Sequence, residues 1–177
     1  MNNYKLTKSF IDLLVINTLI PIQFLYLKSL GKNDFSEVIE IIEAVGTIIW
    51  DKKQESDELS EGETNFILID IFEGAINEGG FLHFFSNEVG DYAREVLEAY
   101  KKIGAPKTAN IIAKAIGLFG INNFHDELEK RKNAIAKLDE NALSGWEDLE
   151  EIFFNDEQEE DVVTLIVEYI RNNKEQF

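Results

Sequence analysis

The sequence contains no cysteine and only two histidines. Without thiols there are no disulfides, no thiolate nucleophile and no cysteine-ligated metal, which fits a reducing cytoplasm as the expected location. The histidines, His83 and His125, form no His-Glu-x-x-His pair. His83 stands beside Phe81, Phe84 and Phe85, and reads as a core or boundary residue rather than a metal ligand. Gly79-Gly80 lacks the Lys-Ser/Thr of a phosphate loop. The acidic run Asn155–Asp161 lacks the central glycine and terminal glutamate spacing of a calcium loop, so it reads as a solvated turn. No metal and no cofactor is expected.

Basic residues are scarce, and their absence is local. The 177 residues carry 34 acids against 17 Lys and Arg, a formal charge of −17. Residues 1–53 are balanced, six against six. From Gln54 to Ala93 there are ten acids and no Lys or Arg. Arg94 to Lys137 reverses the sign, with nine bases against five acids. Leu138 to Ile170 then holds twelve acids and again no Lys or Arg. Such a balance disfavours direct binding to nucleic acid or an anionic membrane and points to a basic partner. Disorder of the whole chain is excluded, because 45% of its residues are hydrophobic and 13 are Phe. The length suits one domain, 1–177.

Phe10 to Leu30 is apolar and follows Lys5 and Lys8, which loosely resembles a signal peptide. Asp12, Asn17, Pro21 and Gln23 interrupt it, and no small-residue cleavage site follows. A buried Asp and a proline also argue against a membrane span. The expectation is a helical segment bent or interrupted at Pro21.

Helical periodicity runs through the rest. Val38, Ile41, Ile42, Val45, Ile48 and Ile49 recur at three and four, which predicts an amphipathic helix over 36–52. Ser60 and Glu63 form a capping-box pattern opening a helix to about Ile76, apolar on nearly all sides and hence central. Gly79-Gly80 should end it. Asp91 should open a helix with Tyr92, Val96, Tyr100 and Ile103 inward, closed by Gly104 and Pro106. Further helices are expected over 107–119, stopped by Gly120, and from an Asn123 cap through Leu138. Ser144 with Glu147 suggests a second capping box before an inward Trp146, Leu149, Ile152 and Phe153. A last helix is expected over 159–172. The predicted fold is all-α, with about seven to nine helices: an extension, 1–58, packed on a core, 59–172.

On the helix around 145–155 the acids Glu147, Asp148, Glu150 and Glu151 fall opposite the apolar side. Like charges at three and four cost roughly 0.2–0.5 kcal/mol per pair, and no lysine relieves them. The bland explanation is solubility. The sharper one is a surface that imitates the phosphates of DNA, which carry one charge per ~1.7 Å of duplex axis.

The stretch Ile76-Asn77-Glu78-Gly79-Gly80-Phe81-Leu82-His83-Phe84-Phe85-Ser86-Asn87-Glu88-Val89-Gly90-Asp91-Tyr92 resembles the signature of the bacterial DNA-mimic protein family, a domain first catalogued as one of unknown function. Leu97 to Ala113, with Ile103-Gly104-Ala105, looks like that family's next two helices, and Trp146 to Phe154 is similar to its Leu-Asp-x-x-Phe-Tyr region. Glu78 and His83 stand where the family usually has Asn and Gln. Gly79, Gly80, Phe81, Asn87 and Gly90 are retained and read as turn geometry with an aromatic anchor. The resemblance implies an all-helical domain and, for one type of member, a surface that occupies the DNA site of a regulator.

The function expected is therefore a non-enzymatic acidic interaction protein, a decoy for DNA on a basic DNA-binding protein. Glu147, Asp148, Glu150, Glu151, Asp156, Glu157, Glu159, Glu160 and Asp161 are its expected phosphate surrogates. The alternative is a protein that binds one intracellular partner through a hydrophobic patch, with the acids serving solubility. A hydrolase using a carboxylate pair is the third and weakest reading.

Overall fold

The computed structural model describes residues 35–56, 58–121, 123–154 and 160–177. The segment Phe10–Leu30, with its expected bend at Pro21, lies outside them. All regular structure among the described residues is helical, and seven α-helices are present. The all-α expectation is borne out, and Phe66–Ile71 and Val162–Val167, β-like in composition, are helical.

Contacts divide the chain into Met1–Leu59 and Ser60–Phe177. In the first unit α1 spans Phe35–Glu55. Val38, Ile41, Val45 and Ile49 are buried along one stripe, as their spacing predicts, and Ile42 and Ile48 flank it half-buried. Lys52 and Lys53 occupy the last turn, where the negative end of the helix dipole favours cations.

The second unit is organised by α2, Glu61–Ser86, which packs against α3 (Ala93–Lys102), α5 (Leu128–Ile135) and α6 (Glu140–Phe153). Helix α4 (Pro106–Gly117) packs on α3 and α6, and α7 (Val162–Asn172) completes the set. The capping box at the start of α2 is formed. The Ser60 side chain accepts from Glu63 N at 3.1 Å, and the Glu63 carboxylate accepts from Ser60 N at 2.8 Å. Phe66, Ile67, Leu68, Ile69 and Phe72 are all buried, so this helix is indeed the centre. The C-terminal end of the chain lies against its first turn, where Ser60 Oγ donates to the Gln176 carbonyl.

The core is aromatic. Phe72 meets Phe84, Tyr100 and Phe153 edge-on, with centroids 5.0, 5.6 and 5.9 Å away. Phe85 joins this group to Phe119, Phe124 and Trp146. The Trp146 indole N–H is satisfied by the Ala115 carbonyl at 2.9 Å, which fastens α6 to α4.

Several local expectations are corrected. The break expected at Gly79-Gly80 is present, both residues being non-helical, but helix resumes beyond it to Ser86. A 3₁₀ turn, Glu88–Tyr92, precedes α3 and leaves Tyr92 half exposed instead of inward. Asn123 caps nothing, because α5 begins at Leu128 after Glu127. Ser144 sits inside α6, whose N-cap is Asp139, accepting from Ala142 N at 2.9 Å. Ile152 is 39% exposed, outside the buried side of its helix. Helix α7 starts at Val162, not Glu159.

Candidate functional site

The signature segment is held by packing and hydrogen bonds rather than arranged around a cleft. Gly80 adopts φ 67°, ψ −164°, a region essentially reserved for glycine. The reason is visible beside it: a Cβ at Gly80 would overlap the Glu150 carboxylate. That carboxylate accepts a hydrogen bond from Phe81 N at 2.7 Å, at the first turn of the resumed helix. A glutamate on α6 thus caps a helix start that the kink leaves with unmatched amides. Phe81, fully buried, then anchors the restart between Phe72 and Phe85.

The far end of the segment closes on Arg131, whose side chain is 0% exposed. All five guanidinium N–H groups have partners. Nε donates to Phe85 O at 2.7 Å, and Nη1 donates to His125 O at 3.0 Å and Asp126 O at 2.7 Å. Nη2 donates to Asn87 O at 2.8 Å and to the Asp91 carboxylate at 2.7 Å. Asn87 also caps the end of α2, its Nδ2 donating to His83 O at 2.8 Å. Gly90 is glycine because a Cβ there would lie 2.7 Å from Phe84 O and 3.0 Å from the Arg131 guanidinium. The two departures from the family pattern face each other, with His83 Nε2 3.4 Å from Glu78 Oε2.

The expected phosphate surrogates divide into three groups. Glu147, Asp148 and Glu151 are exposed on α6 and make no ion pair among the described residues. Glu150, Glu160 and Asp161 are engaged at helix N-termini. Glu160 Oε1 accepts from Lys107 N at 2.9 Å, and its Oε2 accepts from Thr108 N at 2.8 Å and Thr108 Oγ1 at 3.1 Å, at the start of α4. Asp161 is the N-cap of α7, accepting from Thr164 N at 3.0 Å. Asp156, Glu157 and Glu159 lie outside the described residues.

The first acidic block is largely committed as well. Glu61 pairs with Lys102, Glu63 closes the capping box, Glu73 accepts from the Tyr100 hydroxyl, Glu78 meets His83 and Asp91 meets Arg131. On the exposed side of α6 three described carboxylates gather with no cation paired to them among the described residues. Glu147 and Glu151 are four residues apart, and Asp148 and Glu151 three apart. Three charges therefore fall within about 6 Å of helix axis, a mean spacing of about 3 Å, close to the ~3.4 Å between phosphates along one strand of DNA.

The same chain matches the family described as DMP19-like protein over residues 57–173. The chain belongs to the DMP19-like family. DMP19 is a DNA-mimic family, as the signature segment implies. No curated protein and no solved structure matches the chain. The DMP19-like match covers the second unit as far as residue 173, with both the Gly80 kink and the acidic side of α6 inside it. Among the described residues no three His, Asp or Glu side chains gather to hold a metal, and no helix is long and apolar enough to cross a membrane.

Arg131 and the capping roles of Glu150 and Glu160 were not read from the sequence. For Arg131 no signal existed, because four of its five acceptors are backbone carbonyls, which carry no sequence mark, and Phe85, Asn87 and Asp91 lie 40 or more residues away. For Glu150 there was one. At 100° per residue it lies only about 40° from Trp146, on the flank of the buried side. Glu147, Glu151 and Asp148 lie at about 100°, 140° and 200°.

Proposed function

We propose that this DMP19-like protein is a non-enzymatic interaction protein that uses the outer side of α6 to occupy the DNA-binding surface of a basic DNA-binding protein. The observation that carries the reading is the cluster Glu147, Asp148 and Glu151, exposed and without counter-cations in a family of DNA mimics. Carboxylates at this density offer Arg and Lys side chains the same partners as a phosphate row. Asp156, Glu157 and Glu159 extend the row in sequence. Glu150, Glu160 and Asp161 leave it, since their oxygens already serve backbone amides.

The test is capture of partners on the immobilised protein, followed by competition of each partner with labelled duplex DNA. The expected result is a DNA-binding protein released by moderate salt, whose DNA is displaced by this chain. Changing Glu147, Asp148 and Glu151 together to Lys is expected to lower affinity at least tenfold without unfolding the chain. Unchanged binding in that triple variant would sink the assignment.

A second reading has its own observation: Ile152 and Phe154, beside the acids, are 39% and 50% exposed. If the contact is mainly apolar, captured partners persist in high salt and Phe154→Ser weakens binding more than the charge reversals do.

Glu160 provides the contrast. Replacing it by Ala removes the acceptor for two amides at the start of α4, and about 1–2 kcal/mol of stability should be lost. Hydrogen exchange of the Lys107 and Thr108 amides should accelerate while partner affinity per folded molecule stays the same.

A further inference from the structure

A cavity of about 330 Å³ opens beside α5, lined largely by residues of the basic stretch Arg94–Lys137. Its volume lies at the low end of ordinary ligand pockets. Phe119 and Leu138 give it an apolar side, and Lys130, Lys137, His125 and Asn133 give it donors. No carboxylate lines it, in a chain with 34 acids. Two of its walls are pre-set by the core. Phe119 packs edge-on or tilted against Phe85, Phe124 and Trp146, with centroids 5.1 to 5.3 Å away. The His125 backbone is pinned by the buried Arg131. Lys130 shares its charge with Glu127 at 2.7 Å, whereas Lys137 makes no ion pair among the described residues. The C-terminal end of α5 contributes about half a negative charge nearby and Glu127 offsets Lys130, so it is Lys137 that leaves the cavity net positive.

We propose that this cavity binds a small organic anion: an apolar ring seated against Phe119 and Leu138, with a carboxylate or phosphate held by Lys137 and Lys130. A rigid apolar wall with a few converging donors is the usual form of a small-ligand site. None of the acidic residues of α6 takes part, so the site stands or falls apart from DNA mimicry.

The experiment is an NMR titration of the ¹⁵N-labelled full chain with phenyl phosphate, benzoate, inorganic phosphate and benzyl alcohol. Phenyl phosphate or benzoate is expected to shift amides between residues 119 and 138 saturably, with affinity of about millimolar for probes this small. Whichever of the two binds more tightly identifies the anionic group. Lys137→Glu should weaken that probe about tenfold, and Lys107→Glu, outside the cavity, should leave it within about twofold. Equal binding of inorganic phosphate would overturn the proposal by making the apolar wall idle. Equal binding of benzyl alcohol would do so by making the lysines idle. Shifts that never saturate, or that fall elsewhere in the chain, would also overturn it. The probe series on the unaltered chain decides this even if a lysine variant folds poorly.

Discussion

Arg131→Met is expected to destabilise the second unit by about 3–5 kcal/mol, the range for removing one partner of a buried charged network. The reason is the number of acceptors left behind. Phe85, Asn87, His125 and Asp126 each lose a donor for a carbonyl, and the Asp91 carboxylate loses its guanidinium. A buried acceptor left without a donor, as Phe85 O would be, costs about 1–3 kcal/mol, and water reaching the part-buried rim of Asn87, Asp91, His125 and Asp126 recovers some of the rest. Arg131→Lys should not rescue the loss. An ammonium has three donors and no planar fork, so it cannot serve five acceptors spread around a guanidinium. Urea unfolding followed by tryptophan fluorescence reads the effect, since Trp146 sits in the affected core. A midpoint within experimental error of the unaltered chain for Arg131→Met would remove Arg131 from its place as the tie between α5 and the signature segment.

What the sequence made legible follows from the range of the forces involved. The Ser60–Glu63 capping box spans three residues and needs nothing beyond its own turn, so its pattern and its structure agree. The same pattern at Ser144–Glu147 is empty, because Asp139 had already started the helix five residues earlier. A local motif cannot announce that it lies inside an element already begun. The stripe of α1 and the buried centre of α2 were legible because burial repeats with the helical period. The acidic surface was legible as composition and only partly as geometry. Helical projection separates Glu147, Asp148 and Glu151 from the core. It gives no account of Glu160, which reaches α4 across 52 residues of chain. Charge counting treats every carboxylate alike, whereas the fold consumes several of them to satisfy helix N-termini. Net charge therefore overstates the surface available to a partner.

Gly80 and Glu150 are the place where fold and surface meet, and a double-mutant cycle separates them. Gly80→Ala is expected to cost about 1–3 kcal/mol for holding an L residue in a glycine-only conformation. Displacing the Glu150 carboxylate from Phe81 N should add about 1.5–3 kcal/mol, the range for a charged hydrogen bond. In an Glu150→Ala background the second cost is already spent and the added Cβ has room. Gly80→Ala should then cost only the backbone part, leaving a coupling of at least about 1 kcal/mol between neighbours in contact. Additive losses would mean the carboxylate is not seated on Gly80. Glu150→Gln keeps a carbonyl acceptor without the charge, and its stability should fall between those of Glu and Ala. The same variant also divides the roles on α6. If Glu150 serves the kink, Glu150→Gln binds a basic partner as the unaltered chain does once corrected for folded fraction, while Glu151→Gln binds it less tightly. If the two variants weaken the partner equally, Glu150 leaves Phe81 in the complex and the acidic row is one carboxylate longer than the free protein displays.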